Sequence, residues 1–330
     1  MYQADNARYE TMKYRRCGKS GLLFPVISLG FWQNFGGINE FETCRETVRK
    51  AFDNGITHFD LANNYGPPYG SGEETFGRIM EKDLRPYRDE MLISSKAGYD
   101  MWPGPYGNWG SKKYLTASLD QSLKRMKLDY VDIFYHHRPD PEMPMEETMD
   151  ALAQIVRQGK ALYVGVSNYS AQETKRASAI LKEMGVHLLV HQPSYSMFDR
   201  WVEDGLYDVL KEEGMGAVCF SPLAQGLLTK KYFDGITVGS RAARGTFHRQ
   251  DSLITEENIE KAKKLNELAE ERGQALSQMA LAWIMAREES VSVISGARNW
   301  EQLRENIGFM EKMDFTEDEL KRIDEILKQA

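Results

Sequence analysis

Short runs of apolar, often β-branched residues alternate along the chain with longer segments whose apolar positions recur about every 3.6 residues. This alternation predicts strands separated by helices. Strands are predicted at residues 26–30, 57–61, 91–96, 131–136, 161–166, 188–191, 217–220 and 291–294. Helices are predicted at 42–53, 73–81, 113–126, 146–158, 171–184, 204–213, 256–271, 276–287, 301–310 and 316–328.

Strands that alternate with helices form βαβ units and pair in parallel. Eight such units within 330 residues fit a closed (β/α)8 TIM barrel, an α/β fold, better than an open sheet. We expect a single barrel domain over residues 1–330, with extra helices in the late loops and at the C-terminus. The run KYRRCGKSGLLFP at 13–25 predicts an N-terminal β-hairpin, and polar residues 1–12 predict a flexible arm.

Two predicted loops, residues 98–112 and 222–255, are long for a compact domain. Each follows the C-terminal end of a strand, the face on which barrel enzymes carry their active sites, and we interpret both as lids. A glycine-containing run at 69–77 follows a loop and not a strand. It is therefore interpreted as a turn and a helix N-terminus, and no Rossmann fingerprint is expected.

Composition narrows the classes of function. The net charge of −7 argues weakly against nucleic acid as a partner. Cys17, Cys44 and Cys219 are too few and too widely spaced for a disulfide framework or a zinc site, so no metal is expected. The polar N-terminus resembles no secretory signal and no apolar run reaches membrane length, which favours a cytoplasmic protein without a membrane span.

Ionisable residues stand at the C-terminal ends of three successive predicted strands. Asp60 ends the second strand and Tyr65 follows it, Lys96 ends the third, and His136 and His137 end the fourth. Each alone has an ordinary structural explanation, such as a turn cap, a solvent-facing amine or a packed ring. Their convergence on one face is more specific than any single member.

Carbonyl reduction needs a set of this kind. A hydride adds to carbon and a proton to oxygen, and a tyrosine can give that proton if a nearby ammonium stabilises the phenolate. Lys96 would supply the ammonium and lower the pKa of Tyr65, and Asp60 would hold Lys96 by a charge-assisted hydrogen bond. A histidine would donate to the substrate oxygen and orient it.

The segments HFDLANNYG, LISSKAG and VDIFYHHRPD, with GVSNYS, VHQPSYS and SGARNWEQLREN, resemble those of the aldo-keto reductases over nearly the whole chain. The likeness is strongest to the branch of bacterial glyceraldehyde-3-phosphate and methylglyoxal reductases and potassium-channel β subunits. It implies a catalytic tetrad of Asp60, Tyr65, Lys96 and His137. His137 is chosen over His136 because the family's histidine lies five residues after the aspartate matched by Asp132 and just before the Arg-Pro pair. The channel subunits, which the chain also resembles, carry asparagine where His137 stands.

The resemblance also implies NADPH or NADP+, bound in an extended form across the top of the barrel. The matching cofactor-binding positions are Gly30, Phe31, Trp32, Asp60, Ser167, Asn168, Gln192, Phe220, Ser221, Pro222, Leu223, Gln225, Gly226, Lys231, Arg241, Gly296, Arg298, Gln302, Glu305 and Asn306. Many members carry Lys and Arg where this chain has Gly296 and Gln302. Arg298 is therefore the cation expected at the 2′-phosphate, since arginine binds phosphate with two parallel hydrogen bonds.

The expected activity is the reduction of small aldehydes or ketones, such as methylglyoxal or glyceraldehyde 3-phosphate. Trp32, Tyr65, Trp102 and His137 are expected to contact the carbonyl substrate. Two alternatives stay open: a cofactor-sensing subunit with little turnover, and an aldolase in which Lys96 forms a Schiff base. The likeness to the channel subunits also implies a homo-oligomer, a tetramer or larger.

Overall fold

The structure is a computed structural model that describes residues 2–235 and 253–328. Eight parallel strands close into a barrel, in which each strand pairs with the next along the chain and the last pairs with the first. They are β3 (Ile27–Gly30), β4 (His58–Asp60), β5 (Leu92–Ala97), β6 (Val131–His136), β7 (Ala161–Ser167), β8 (Leu188–Gln192), β9 (Gly216–Cys219) and β10 (Ser290–Ser295). Each end lies within one residue of its prediction, which confirms the (β/α)8 barrel.

Helices cover the outside of the barrel. They are α1 (Phe41–Asp53), α2 (Ser71–Ile79), α3 (Lys112–Met126), α4 (Met145–Arg157), α5 (Ala171–Glu183), α6 (Leu206–Glu213), α7 (Glu256–Glu271), α8 (Leu276–Met285), α9 (Trp300–Ile307) and α10 (Glu317–Lys328). α2 continues into a π-helical turn at Met80–Leu84 and a 3-10 turn at Arg85–Glu90, which periodicity did not predict. The glycine-containing run at 69–77 forms the start of α2, whose N-cap Gly70 adopts a left-handed φ of 87°.

A hairpin closes one end of the barrel, as predicted. β1 (Tyr14–Arg16) pairs antiparallel with β2 (Leu23–Pro25). Its turn lies at the N-terminal end of β9, where the Lys19 amide donates to the Gly214 carbonyl at 2.9 Å. The Phe24 side chain is fully buried among the apolar side chains that fill the barrel interior. The functional site therefore has to lie at the opposite, C-terminal end of the strands.

Residues 2–12 lie against the barrel. The Tyr2 hydroxyl donates to Asp53 at 2.6 Å, the Ala4 amide donates to the Tyr87 hydroxyl at 3.0 Å, and the Tyr2 side chain is buried. These contacts join the segment to α1 and to the 3-10 turn at Arg85–Glu90. That the segment is a flexible arm stays a prediction.

Candidate active site

Asp60 and Lys96 form a buried ion pair at the C-terminal ends of β4 and β5. The Lys96 Nζ atom lies 2.7 Å from Asp60 Oδ2 and donates to the Leu61 carbonyl at 2.6 Å. The Lys96 side chain is 0% exposed and that of Asp60 is 2% exposed. The other carboxylate oxygen, Oδ1, accepts from Ser94 at 2.8 Å and from Gln192 at 2.9 Å. Both charges are thus paired and hydrogen-bonded, as burial requires.

Tyr65 and His137 complete the cluster. The Lys96 Nζ atom lies 4.8 Å from the centroid of the Tyr65 ring, and the Tyr65 and His137 ring centroids are 6.0 Å apart. The Tyr99 ring meets the His137 ring edge-on at 4.7 Å. His137 Nδ1 is buried and has no hydrogen-bond partner among residues 2–235 and 253–328. The strand ends therefore bring the four predicted catalytic side chains together.

Burial sets the protonation states in this cluster. Burial, then the Asp60 carboxylate and Tyr99, raises the pKa of Tyr65 well above 10. Burial lowers the pKa of Lys96 and, with the nearby Lys96 charge, holds the pKa of His137 well below its usual range. At neutral pH Tyr65 is a protonated phenol and His137 a neutral imidazole.

This result differs from the expectation that Lys96 lowers the pKa of Tyr65. Desolvation and the Asp60 charge outweigh the ammonium, whose hydrogen bonds go to Asp60 and the Leu61 carbonyl. The ammonium is close enough to stabilise a phenolate once one forms, but it does not leave a phenolate in the resting protein.

A cavity of about 1300 Å³ opens at this end of the barrel. Asp60, Tyr65 and His137 line its inner wall, and it continues past Asn168 and Gln192 to the loops after β9 and β10. We call the outer part, lined by residues 220–223, 225–226, 295–299 and 302, the β9–β10 groove. The cavity is large enough to hold a long ligand and a small molecule beside the tetrad.

The comparison with known proteins agrees with the motifs. The model of the aldo/keto reductase family matches residues 26–328. The chain belongs to the aldo/keto reductase family. It is 53% identical to the L-glyceraldehyde 3-phosphate reductases of Escherichia coli K12 and O157:H7, over 334 residues that cover 98% of this chain and 95% of each relative. It is 35% identical to a putative voltage-gated potassium channel subunit beta of Schizosaccharomyces pombe, over 96% of this chain and 94% of the relative.

Most positions that the family resemblance implies for the cofactor lie on the cavity wall. They are Gly30, Trp32, Asp60, Asn168, Gln192, Phe220, Ser221, Pro222, Leu223, Gln225, Gly226, Lys231, Gly296, Arg298, Gln302, Glu305 and Asn306. Phe31 is instead buried against Phe35 and Phe76, since alternate residues of an extended segment face opposite sides. Ser167 is also buried and donates to the Gln192 carbonyl at 2.7 Å. Arg241 lies outside the described residues.

The wall has features that suit the dinucleotide of an aldo/keto reductase. Asn168, Ser221 and Gln225 line it with left-handed φ angles of 61°, 52° and 58°. Such strain in non-glycine residues clusters at ligand sites. Lys231 and Arg298 provide cations, and a Cβ added at Gly296 would meet nothing nearer than 4.0 Å. The unpartnered His137 Nδ1 lies at the inner end. The residues present therefore fit an extended phosphorylated cofactor.

In the loop at residues 98–112, the side chain that lines the cavity is not the one predicted. Trp102, expected at the substrate, packs on Tyr114 with centroids 5.1 Å apart and is not part of the cavity wall. Tyr99 and Asn64 line the cavity instead. Tyr99 lies three residues after Lys96, so the rule that functional residues follow strand ends would have found it. The Oδ1 atom of Asn64 is buried and unpartnered within the described residues.

No three His, Cys, Asp or Glu side chains of the described residues lie together as a metal site would require. Among the described helices, none has the length and apolar character needed to cross a membrane.

Proposed function

We propose that the protein catalyses NADPH-dependent reduction of small aldehydes or ketones to alcohols, with glyceraldehyde 3-phosphate and methylglyoxal as candidate substrates. The observation that carries the proposal is the convergence of Asp60, Tyr65, Lys96 and His137 beside one cavity. The name of the Escherichia coli relatives supports the substrate class.

The tetrad supplies the proton and positions the carbonyl. When bound, NADPH would supply the hydride, held by the β9–β10 groove with its nicotinamide end near Asn168 and Gln192. Tyr65 gives its phenolic proton to the carbonyl oxygen as negative charge develops there. A high pKa for Tyr65 does not prevent this step, because an alkoxide is a stronger base than a phenolate.

Lys96 and His137 support that transfer. The ammonium near the Tyr65 ring stabilises the phenolate left behind, and Asp60 keeps the ammonium in place. His137, as a neutral imidazole, donates one N–H to the substrate oxygen and fixes its direction. Burial of the cluster keeps water from weakening these interactions.

Preference for NADPH over NADH is assigned to Arg298. Its side chain is exposed at the mouth of the groove, and its backbone amide donates to Gln302 Oε1 at 3.0 Å just before α9. The guanidinium is thus available to the 2′-phosphate of a cofactor bound in the β9–β10 groove.

A cofactor-sensing subunit with little turnover is the second candidate, favoured by the likeness to the channel subunit of Schizosaccharomyces pombe. His137 favours the reductase, because the family resemblance implies histidine at this position in the reductases and asparagine in the channel subunits. A Schiff-base aldolase is disfavoured, since the Lys96 amine is fully buried and paired with Asp60.

The test follows the loss of NADPH absorbance with methylglyoxal, glyceraldehyde 3-phosphate and 4-nitrobenzaldehyde. Tyr65→Phe should lower kcat by about 10²–10⁴-fold while NADPH affinity is kept. Tyr69→Phe, on a neighbouring exposed tyrosine, is the control and should match wild type. Tight NADPH binding by wild type without turnover of any carbonyl would favour the cofactor-sensing subunit and reject the tetrad as a working catalyst.

The resemblance also supports a homo-oligomeric, cytoplasmic protein. Sedimentation velocity at micromolar concentration tests the first property, with a single species at the mass of one chain as the contrary result.

A further inference from the structure

A continuous row of hydrogen bonds crosses the barrel interior behind Asp60. It joins Ser292 of β10, Ser28 of β3, His58 of β4 and Ser94 of β5. Ser292 Oγ lies 2.6 Å from Ser28 Oγ, which lies 2.8 Å from His58 Nδ1. His58 Nε2 lies 3.0 Å from Ser94 Oγ, which donates to Asp60 Oδ1 at 2.8 Å. All four side chains are fully buried, and the tetrad chemistry uses none of them.

The Asp60 carboxylate at the end of this row determines which group donates in every hydrogen bond. A carboxylate can only accept hydrogen bonds, so the Ser94 hydroxyl donates its one proton to Asp60. The Ser94 oxygen must then accept a hydrogen bond from His58 Nε2. His58 is neutral, because burial lowers its pKa to about 4. A neutral imidazole that donates through Nε2 accepts at Nδ1, so Ser28 donates there and accepts in turn from Ser292. All protons in the row point toward Asp60.

The row fixes one carboxylate oxygen so that the other faces the lysine. Oδ1 receives two donors, Ser94 and Gln192, which leaves Oδ2 for Lys96. The His58 ring is itself held by Phe24 of the hairpin, whose ring meets it edge-on at 5.0 Å. The imidazole therefore has a fixed tautomer and a fixed position between the closed end of the barrel and the ion pair.

We propose that His58 is a positioning residue for the Asp60–Lys96 pair, acting as a neutral Nε2–H tautomer through Ser94. The proposal rests on the proposed function, because orientation of this pair serves the proton transfer from Tyr65. Loss of the Nε2 donor frees Ser94 to turn away from Asp60, and the carboxylate loses a hydrogen bond that its charge strengthens.

The tautomer is tested by nuclear magnetic resonance of protein labelled with ¹⁵N-histidine. The chain has six histidines, and the signals of His58 are assigned by their loss in His58→Gln. The Nε2–H pattern should persist unchanged from pH 5.5 to 8.5. An Nδ1–H pattern, or titration of the ring within this range, would overturn the proposal.

Kinetics test the positioning role. His58→Leu should lower kcat about tenfold, the usual effect of a hydrogen bond to a charged group, with NADPH affinity unchanged. His58→Gln, whose amide nitrogen takes the place of Nε2, should recover most of the rate. Ser94→Ala should resemble His58→Leu, and Ser292→Ala, at the far end of the row, should change kcat least.

His191→Leu is the matched control. His191 is equally buried, has its pKa lowered to about 4 by burial, and bonds to the Tyr169 carbonyl at 3.0 Å, not toward Asp60. It should lose stability without losing kcat per folded molecule. Equal kcat losses in His58→Leu and His191→Leu, or no recovery in His58→Gln, would show that His58 only fills space.

A double-mutant cycle in urea gives a readout that needs no turnover. The shifts in unfolding midpoint for His58→Leu and Asp60→Asn should be non-additive, because both residues belong to one row. Additive shifts would contradict the proposal. An inactive wild type with a non-additive cycle would reject the reductase while keeping the link between His58 and Asp60.

Discussion

The tetrad and the β9–β10 groove are built in opposite ways. Asp60 and Lys96 stand at the ends of neighbouring strands, and each polar atom between them has a partner within 3 Å. The groove is formed by loops, with exposed Arg298 and with Ser221 and Gln225 in left-handed conformations. Strand register thus fixes the proposed catalytic groups, and loop backbone shapes the proposed cofactor surface.

This difference has a consequence for substitutions. A change in the tetrad leaves a buried partner without its counterpart, so activity and stability should fall together. A change in the groove removes a contact to a ligand from a solvated side chain, so affinity should fall alone.

Lys96→Met should abolish turnover and destabilise the protein. The Asp60 carboxylate would be left buried and unpaired, which costs about 3–5 kcal/mol in the free energy of unfolding. Urea denaturation measures the loss. Lys112→Met, which breaks the exposed pair with Asp150, is the control and should cost less than about 1 kcal/mol. Equal losses in the two variants would contradict the contrast.

Arg298→Ala should weaken NADPH binding without changing stability. Hydrogen bonds between a guanidinium and a phosphate are charge-assisted, but this side chain is exposed, so we expect about a tenfold rise in the dissociation constant of NADPH. The constant for NADH, measured by the same fluorescence titration, should not change. A parallel loss for both cofactors would place the 2′-phosphate elsewhere.

Arg138→Lys should affect the substrate more than the cofactor. The Arg138 guanidinium lies between the rings of Trp109 and Tyr99, at 3.6 and 4.3 Å, and donates to the Gly98 carbonyl and to Asn108. Lysine keeps the charge but cannot make these contacts together, so the KM for aldehyde should rise roughly threefold to tenfold.

Steady-state kinetics with saturating NADPH measure that effect of Arg138→Lys. Arg85→Lys, on an exposed arginine, supplies the baseline. An unchanged KM would mean that Tyr99 keeps its position without the contacts of the Arg138 guanidinium.

The kcat of reduction should change little with pH, which makes this the smallest of the expected effects. Tyr65 must be protonated to donate, and its pKa is raised above 10, so its protonation keeps kcat constant from pH 6 to about 9.5. Alcohol oxidation needs the phenolate and should rise with pH over the same range. A fall in the reduction rate below pH 9 that disappears in Tyr65→Phe would show a lowered pKa instead.

Much of the tetrad could be predicted because the ends of the strands can be recognised in the sequence. The apolar runs place Asp60 and Lys96 at the C-terminal ends of β4 and β5, and parallel strands bring such ends together. The same reading could have found the buried row. His58 precedes Asp60 by two residues and Ser94 precedes Lys96 by two, and residues spaced by two share one face of a strand.

Loop conformation was not predictable from the pattern. Trp102 and Tyr99 belong to one aromatic loop, and only packing around Tyr114 and Arg138 decides which ring faces the cavity. The single-domain organisation stays a prediction, supported by the one closed barrel. The family motifs supplied the groove residues, since a surface built from loop backbone leaves no periodic signal in the chain.

The enclosure of Lys96 has a consequence for the proposed reduction of methylglyoxal. Small dicarbonyls condense with accessible amines and damage proteins that handle them. An amine with no exposed surface, hydrogen-bonded to Asp60 and to the Leu61 carbonyl, lacks the access that this reaction needs. The ion pair would therefore shield from glycation a lysine that the proposed mechanism requires.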